Sequence, residues 1–387
     1  MLKEKRKMNN DSRQQQIVKD ARSFADEVLR QRAGKIDREE NLPKDIIDEL
    51  AKRRYLLASL PEDCGGLGLD PIYYGFLTEE IGKACSSTRA LITIQSSLVG
   101  ETLLRWGTKE QKATWLPAMA KAEKIGAFAL TEPEVGTDAK AVQTTYEKTD
   151  KGYIINGHKK WTSFGAIADF FIVIAACGAE ITAFIVERDR AGIMTTHQKG
   201  LLANRAAHIA EIEFQDVNIP DENVIGKPGS GFSFIASTAL DHGRYSIAWA
   251  GVAVAQEALD EMVRYARERT AFGRKIGEFQ LIQGMIGNAV TKIHAARALC
   301  IKAGEMRTFG SDDAIMETTI AKYFTSKIAC EVTTDAVQVH GGNGCSNRYP
   351  VERLFREARV LEIIEGTSQI QQLLIAKYGL RNYGKGR

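Results

Sequence analysis

From about residue 11 to 124 the apolar positions recur at helical spacing, as in the series Ile17, Ala21, Phe24, Ala25, Val28 and again Tyr73, Phe76, Leu77, Ile81, which predicts a helical first segment. The run Pro61-Glu62-Asp63-Cys64-Gly65-Gly66-Leu67-Gly68-Leu69 interrupts it, and three glycines there suit positive-φ turns, so a loop is expected. Between roughly 126 and 231 the pattern changes to short β-rich runs over 127–130, 152–156, 169–175, 181–186 and 209–214. Asn156-Gly157 and Lys227-Pro228-Gly229 read as turns between them. After Phe232 long helical stripes resume: Val252, Ala255, Leu259, Met262, Val263, Ala266; then Ile282, Met285, Ile286, Ala289, Ile293, Ala296; then Ala321, Phe324, Ile328, Val332, Ala336. Such helices bury one another's apolar faces as a bundle. The expectation is an α+β, mostly α chain in the order helix, strand, helix, divided at 1–125, 126–231 and 232–387.

Composition narrows the function classes. With 44% hydrophobic and 26% charged residues the 387-residue chain has globular composition, and its net charge of +3 is spread along the sequence, which argues against a nucleic-acid partner. No run of about eighteen apolar residues is present and the first residues are polar, so no membrane span is expected and a cytoplasmic location is. Six widely spaced cysteines without a CxxC pair, and six histidines without HExxH or i,i+4 pairing, give no support for a metal site.

Five short motifs carry the chemistry. They are Pro61-Glu62-x-x-Gly65-Gly66-Leu67-Gly68, Leu130-Thr131-Glu132-Pro133-x-x-Gly136-Thr137-Asp138, Asn156-Gly157-x-Lys159-x-Trp161, Glu268-Arg269-x-x-Phe272-Gly273-x-x-Ile276-x-x-Phe279-Gln280, and Ile364-Glu365-Gly366-Thr367-Ser368-Gln369-Ile370. The second reads as a strand running into a Gly-Thr turn whose N–H and hydroxyl groups can hold a heterocycle edge; a plain strand-end turn explains it equally. Arg269, read as lying on a helix, offers a planar fork for a diphosphate, or else a solvated face. Gln338-Val339-His340-Gly341-Gly342 supplies a Gly-rich turn after a helix, which suits a pyrophosphate or simply a helix end. No GxGxxG follows a predicted strand, so no Rossmann site is indicated. Glu365 sits between Ile363-Ile364 and Ile370, Leu373 and Leu374, surroundings that would desolvate its carboxylate and raise its pKa into the range of a general base; stabilising the first turn of a helix is the other reading.

In this order and spacing the five motifs resemble the acyl-CoA dehydrogenase family over residues 11–377. The resemblance implies an α-helical first domain, a middle β domain and a C-terminal four-helix bundle, with FAD as cofactor and Glu365 as catalytic base. It implies FAD contacts from Phe128, Leu130, Thr131, Gly136 and Thr137, with Trp161 covering the flavin and Thr162 and Ser163 beside it. Arg269, Phe272, Gln280, Gln338, Gly341 and Gly342, with Thr367, Ser368 and Gln369, would reach FAD as well, the arginine motif across a subunit boundary, so a homo-oligomer (a dimer of dimers) is expected. In such enzymes Glu365 would remove the α-proton of an acyl thioester while a hydride leaves the β-carbon, and the electrons would pass to an electron-transfer flavoprotein or to oxygen.

Several positions depart from the common family pattern. Cys345 and Ile364 stand where many relatives carry Tyr, and Lys377 replaces an arginine near the CoA adenine, keeping the charge but losing the fork. With Arg244 and Gly366 these positions are the candidate substrate contacts. The stretch around Leu240 to Trp249 and that around His340 to Arg353 look like the acyl-carrier-protein dehydrogenases of hydroxymalonyl or methoxymalonyl extender-unit pathways. That likeness implies a short acyl group on a carrier protein. A short-chain acyl-CoA dehydrogenase of primary metabolism is the alternative, and a non-catalytic flavin-binding relative a remote one.

Overall fold

The computed structural model describes residues 2–384. The first segment contains α1 (Leu2–Phe24), α2 (Arg30–Glu39), α3 (Lys44–Lys52), α4 (Pro71–Ala84), α5 (Ser86–Ile92), α6 (Glu101–Trp106) and α7 (Lys109–Ala120), with π-type turns over Thr93–Gly100 linking α5 to α6. Local chemistry sets their ends. Asp70 caps α4 by accepting from the N–H groups of Ile72 and Tyr73 ahead of Pro71, and Thr108 with Gln111 forms a capping box on α7. The expected loop at 61–69 is present, with Gly65 and Gly68 at positive φ and Gly66 packed where a Cβ would lie 2.1 Å from the Leu60 carbonyl oxygen.

The middle segment is an eight-stranded sheet: β1 (Gly126–Ala129), β2 (Thr145–Thr149), β3 (Gly152–Thr162), β4 (Phe170–Cys177), β5 (Glu180–Glu187), β6 (Ile193–His197), β7 (Ala210–Ile219) and β8 (Val224–Ile225). The order is β6-β7-β3-β2-β4-β5-β8, with β1 parallel to β4. One face packs on the helices. The other has its own core of Tyr146, Tyr153, Phe171, Phe184, Ile212, Phe214 and neighbours. β4 is buried along seven of its eight residues because both faces are covered, whereas β7 alternates. Asn156-Gly157 is not a turn. It lies inside β3 as a bulge where the register with β7 slips, and Gly157 (φ +150°) presses on Thr144, where a Cβ would come within 2.6 Å.

The last segment holds α8 (Ser237–Glu268), α9 (Gln280–Thr308), α10 (Ala314–His340), α11 (Val351–Leu361) and α12 (Ser368–Asn382). α8 is the spine: it packs on α4 from the first segment and on α9, α10 and α11. Its buried stripe includes Tyr245, Trp249, Val252, Ala255 and Met262. Arg269 falls just beyond the helix, in extended conformation, and starts a small hairpin of Thr270–Ala271 and Arg274–Lys275, so the helical placement expected for it is corrected.

Candidate active site

Glu365 stands in the six-residue connection between α11 and α12. It has φ +55° and Gly366 has φ +92°, so two consecutive residues turn through the left-handed region. Side chains from three helices hold this turn by its carbonyls. Arg244 Nε of α8 donates to the Glu365 carbonyl at 3.0 Å, Lys322 Nζ of α10 donates to that of Gly366 at 2.8 Å, and Gln371 Nε2 of α12 donates to both, at 3.2 and 3.1 Å. Among the described residues, the N–H groups of Glu365 and Gly366 meet no acceptor.

The carboxyl of Glu365 rests against Gly243 of α8. A Cβ at Gly243 would lie 2.6 Å from Oε2 and 2.9 Å from Oε1, so the missing side chain is the space the carboxyl occupies. Oε2 is enclosed and has no hydrogen-bond partner. Burial pushes the Glu365 carboxyl up to about 7, against the opposing pull of Arg244, Lys322 and Arg89. The helix seat adds to what the apolar sequence neighbours supply: Ile364 and Ile370 are half-buried, whereas Ile363, Leu373 and Leu374 are 51%, 67% and 38% exposed. Glu365 does not stabilise a helix start either. α12 begins at Ser368 and is capped by the Thr367 hydroxyl, which accepts from the Ile370 N–H.

A second cluster lies at the sheet. Phe128 lies in β1, and Leu130 and Thr131 lead from its end into a turn closed by reciprocal bonds between Glu132 and Val135; Gly136 and Thr137 are exposed beyond it. The Lys160 N–H donates to the Thr131 carbonyl at 2.8 Å, which brings the end of β3 to this turn. There Trp161, at φ +58°, is 50% exposed, and the buried Thr162 Oγ1 has no partner; Ser163 follows, half-buried. A third cluster surrounds a cavity of about 420 Å³ lined by Tyr265, Arg269, Ile276, His340, Gly341 and Gly342, with space beyond both glycines. Gln338 and Gln280 are exposed nearby in sequence, and Phe272, at φ +51°, is 95% exposed.

The family models for the N-terminal, middle and C-terminal domains of acyl-CoA dehydrogenase match residues 11–123, 127–217 and 229–380. The chain belongs to the acyl-CoA dehydrogenase family. It is 36% identical to the short-chain specific acyl-CoA dehydrogenase of Clostridium acetobutylicum, covering 95% of this chain and 98% of that one, and 34% identical to the human mitochondrial short-chain enzyme, covering 95% and 90%. Its fold matches butyryl-CoA dehydrogenase from Megasphaera elsdenii with a TM-score of 0.91 at 34% identity over 95% and 98% of the two chains. It also matches the prolyl acyl carrier protein oxidase AnaB (TM-score 0.89, 28% identity, 95% and 98%) and FkbI, for biosynthesis of the methoxymalonyl extender unit of the Fk520 polyketide (0.86, 28%, 93% and 99%).

Acyl-CoA dehydrogenases are FAD-dependent oxidoreductases acting on CH–CH bonds, and the second and third clusters fit that cofactor. The partnerless Thr162 hydroxyl and the half-exposed Trp161 face suit a flat polar ring, and the Arg269 fork beside two bare glycines suits a diphosphate. Among the described residues no group of three or more potential metal ligands comes together, and no helix is long and apolar enough to cross a membrane.

Four residues of the site escaped the sequence reading. Lys322 and Gln371 hold the Glu365–Gly366 turn, Gly243 seats the carboxyl, and Arg89 of α5 is close enough to Glu365 for each to bias the other's ionisation. Arg89 had a legible signal: it is the single charge in the stretch 85–100. Arg244 meets the same turn. Cys345 is exposed after Gly344, Ile364 is half-buried beside Glu365, and Lys377 is exposed on α12.

Proposed function

We propose that this enzyme oxidises a short acyl thioester carried on an acyl carrier protein, in polyketide extender-unit biosynthesis of the hydroxymalonyl or methoxymalonyl type, with Glu365 as the base. The observation that carries the reading is the Glu365 carboxyl, enclosed against Gly243 and brought by burial to about 7, where a carboxylate both exists at neutral pH and is basic enough to take a weakly acidic α-proton. The free N–H groups of Glu365 and Gly366 are the donors available to a thioester carbonyl, and stabilise the negative charge that grows on its oxygen as the proton leaves. Arg244, Lys322 and Gln371 fix the turn so that proton acceptor and N–H donors stay in register. Trp161, Thr162 and Ser163 would hold the flat ring of FAD, and Arg269, Gly341 and Gly342 would hold a diphosphate, the latter across a subunit boundary. FAD, when bound, accepts the hydride from the β-carbon.

Support for a carrier-bound substrate comes from the exposed Lys377, which lacks the fork of an arginine, from Cys345 and Ile364, and from the likeness to AnaB and FkbI. The second reading, a short-chain acyl-CoA dehydrogenase of primary metabolism, is favoured by the higher identity to the Clostridium enzyme. Electrons leave the reduced cofactor for an electron-transfer flavoprotein or for oxygen, and the protein works in the cytoplasm as a homo-oligomer. Anaerobic bleaching of the flavin by one short acyl group, offered on CoA and on a carrier protein, tests this. Faster bleaching by the carrier-bound form is expected; equal or faster bleaching by the CoA form overturns the carrier assignment in favour of the second reading.

A further inference from the structure

Arg89 is 2% exposed, and a guanidinium stays charged at any pH the protein survives. Among the described residues its side chain makes one hydrogen bond, from Nη1 to the neutral Thr93 hydroxyl at 2.9 Å. Thr93 is in turn 2.7 Å from the Ser246 hydroxyl, and Ser246 accepts from the Tyr74 hydroxyl at 3.2 Å, so the network around the cation is built of neutral groups. Among the described residues no carboxylate oxygen lies within 4 Å of the guanidinium. Glu357 is felt at longer range, but both its oxygens take the Asn204 N–H. A buried charge without a counter-ion is costly, which calls for an anion that arrives from outside the chain.

The direction of the side chain says where that anion comes from. The Arg89 stem passes between α4 and α8: a Cβ at Gly82 would lie 2.9 Å from Arg89 Cδ and 3.0 Å from Ala253 Cβ. From there the head runs back along α8 to the level of Ser246, three residues and about 4.5 Å of helix rise from Gly243, where the Glu365 carboxyl sits. Three cations, Arg89, Arg244 and Lys322, pull on the single carboxyl of Glu365, and two of them are already occupied by loop carbonyls. Arg89 is the one left to a ligand.

We propose that the Arg89 guanidinium receives a carboxylate borne by the acyl group at its end away from the thioester, so that the substrate is the monothioester of a short dicarboxylic acid. This rests on the reading of Glu365 as the base of a dehydrogenase. One helical turn between base and cation limits the acyl chain to about four or five carbons, four being the shortest that carries both an α-proton and a β-hydrogen ahead of the terminal carboxylate. A neutral chain would leave the cation buried beside apolar atoms, and a longer one would overrun it.

The test uses the FAD-loaded enzyme carrying Glu365→Gln, which binds without turnover, and compares by calorimetry the pantetheine thioesters of succinate and glutarate with their terminal monoamides, which have the same shape and no charge. The acids are expected to bind at least about 30-fold more tightly, and Arg89→Met to bring that ratio close to one. Equal binding of acid and amide to the Arg89 protein overturns the proposal whether or not the Met variant folds, and so does a ratio that survives in Arg89→Met. Flavin reduction in the native enzyme separates the two levels: equal bleaching by acid and amide removes only the role of Arg89, while no bleaching by any acyl thioester on pantetheine, CoA or carrier protein removes the dehydrogenase reading and this inference with it.

Discussion

A carboxyl that ionises near neutrality makes rate depend on pH with a definite sign. With Glu365 as the proposed base, the thioester-free enzyme reacts only as the carboxylate, so kcat/KM should rise with pH, bend near 7 and level off above it. Lys322 is a buried cation that favours the ionised form of Glu365. Lys322→Met should therefore move the bend upward by about one pH unit. A residue that only filled space would leave the bend where it was, so the pH profile of kcat/KM separates the two roles. Stability should show the same ionisation. Because the folded pKa of about 7 lies above the ordinary value of 4.5, the protonated form contributes stability that is complete below 4.5 and lost as pH rises through 7. Glu365→Gln should thus leave the free energy of unfolding unchanged near pH 4.5 and raise it progressively to a plateau above pH 7, by about 1–3 kcal/mol in urea titrations.

At the scale of elements, the flavin-side turn after β1 is held by a buried ion pair. Lys159 Nζ lies 2.6 Å from Glu132 Oε1 and donates to the Leu130 carbonyl at 3.1 Å, while Glu132 also accepts from the Gln143 and Thr144 N–H groups. Lys159→Met strands a buried carboxylate and should cost about 3–5 kcal/mol in urea unfolding, with lower flavin content per chain. This turn shows what a sequence can and cannot disclose. Its residue types were legible, as were the long apolar stripes of α8, α9 and α10. β2 and β6 were not, because Thr145–Thr149 and Ile193–His197 are short, largely polar strands that bury only Tyr146 fully. Asn156-Gly157 looked like a hairpin turn because a bulge and a turn ask the same thing of glycine, a positive φ. Glu365 could be read from its motif, but its seat could not: Gly243 is 122 positions away and becomes meaningful only once α8 crosses the α11–α12 connection.

For the whole molecule, both ends of α9, and α12, carry large apolar side chains that are left uncovered. Leu281, Phe309 and Leu380 are 83%, 84% and 87% exposed, and Phe272 projects from the hairpin before α9. Gly284 and Gly287 lie in the same helix as Leu281, with open space where side chains would be. Surfaces of this kind are normally covered by another copy of the chain. In the proposed homo-oligomer, Leu281→Glu should shift the protein to a smaller species in sedimentation velocity. Global stability and activity also pull apart at one point on the 32-residue spine. Replacing a helical glycine with alanine ordinarily strengthens a helix by about 1 kcal/mol, so a laboratory campaign selecting heat-resistant variants would be drawn to position 243. There the added methyl would evict the Glu365 carboxyl, the proposed proton acceptor, and the survivors of such a selection should be durable yellow proteins that no longer turn over.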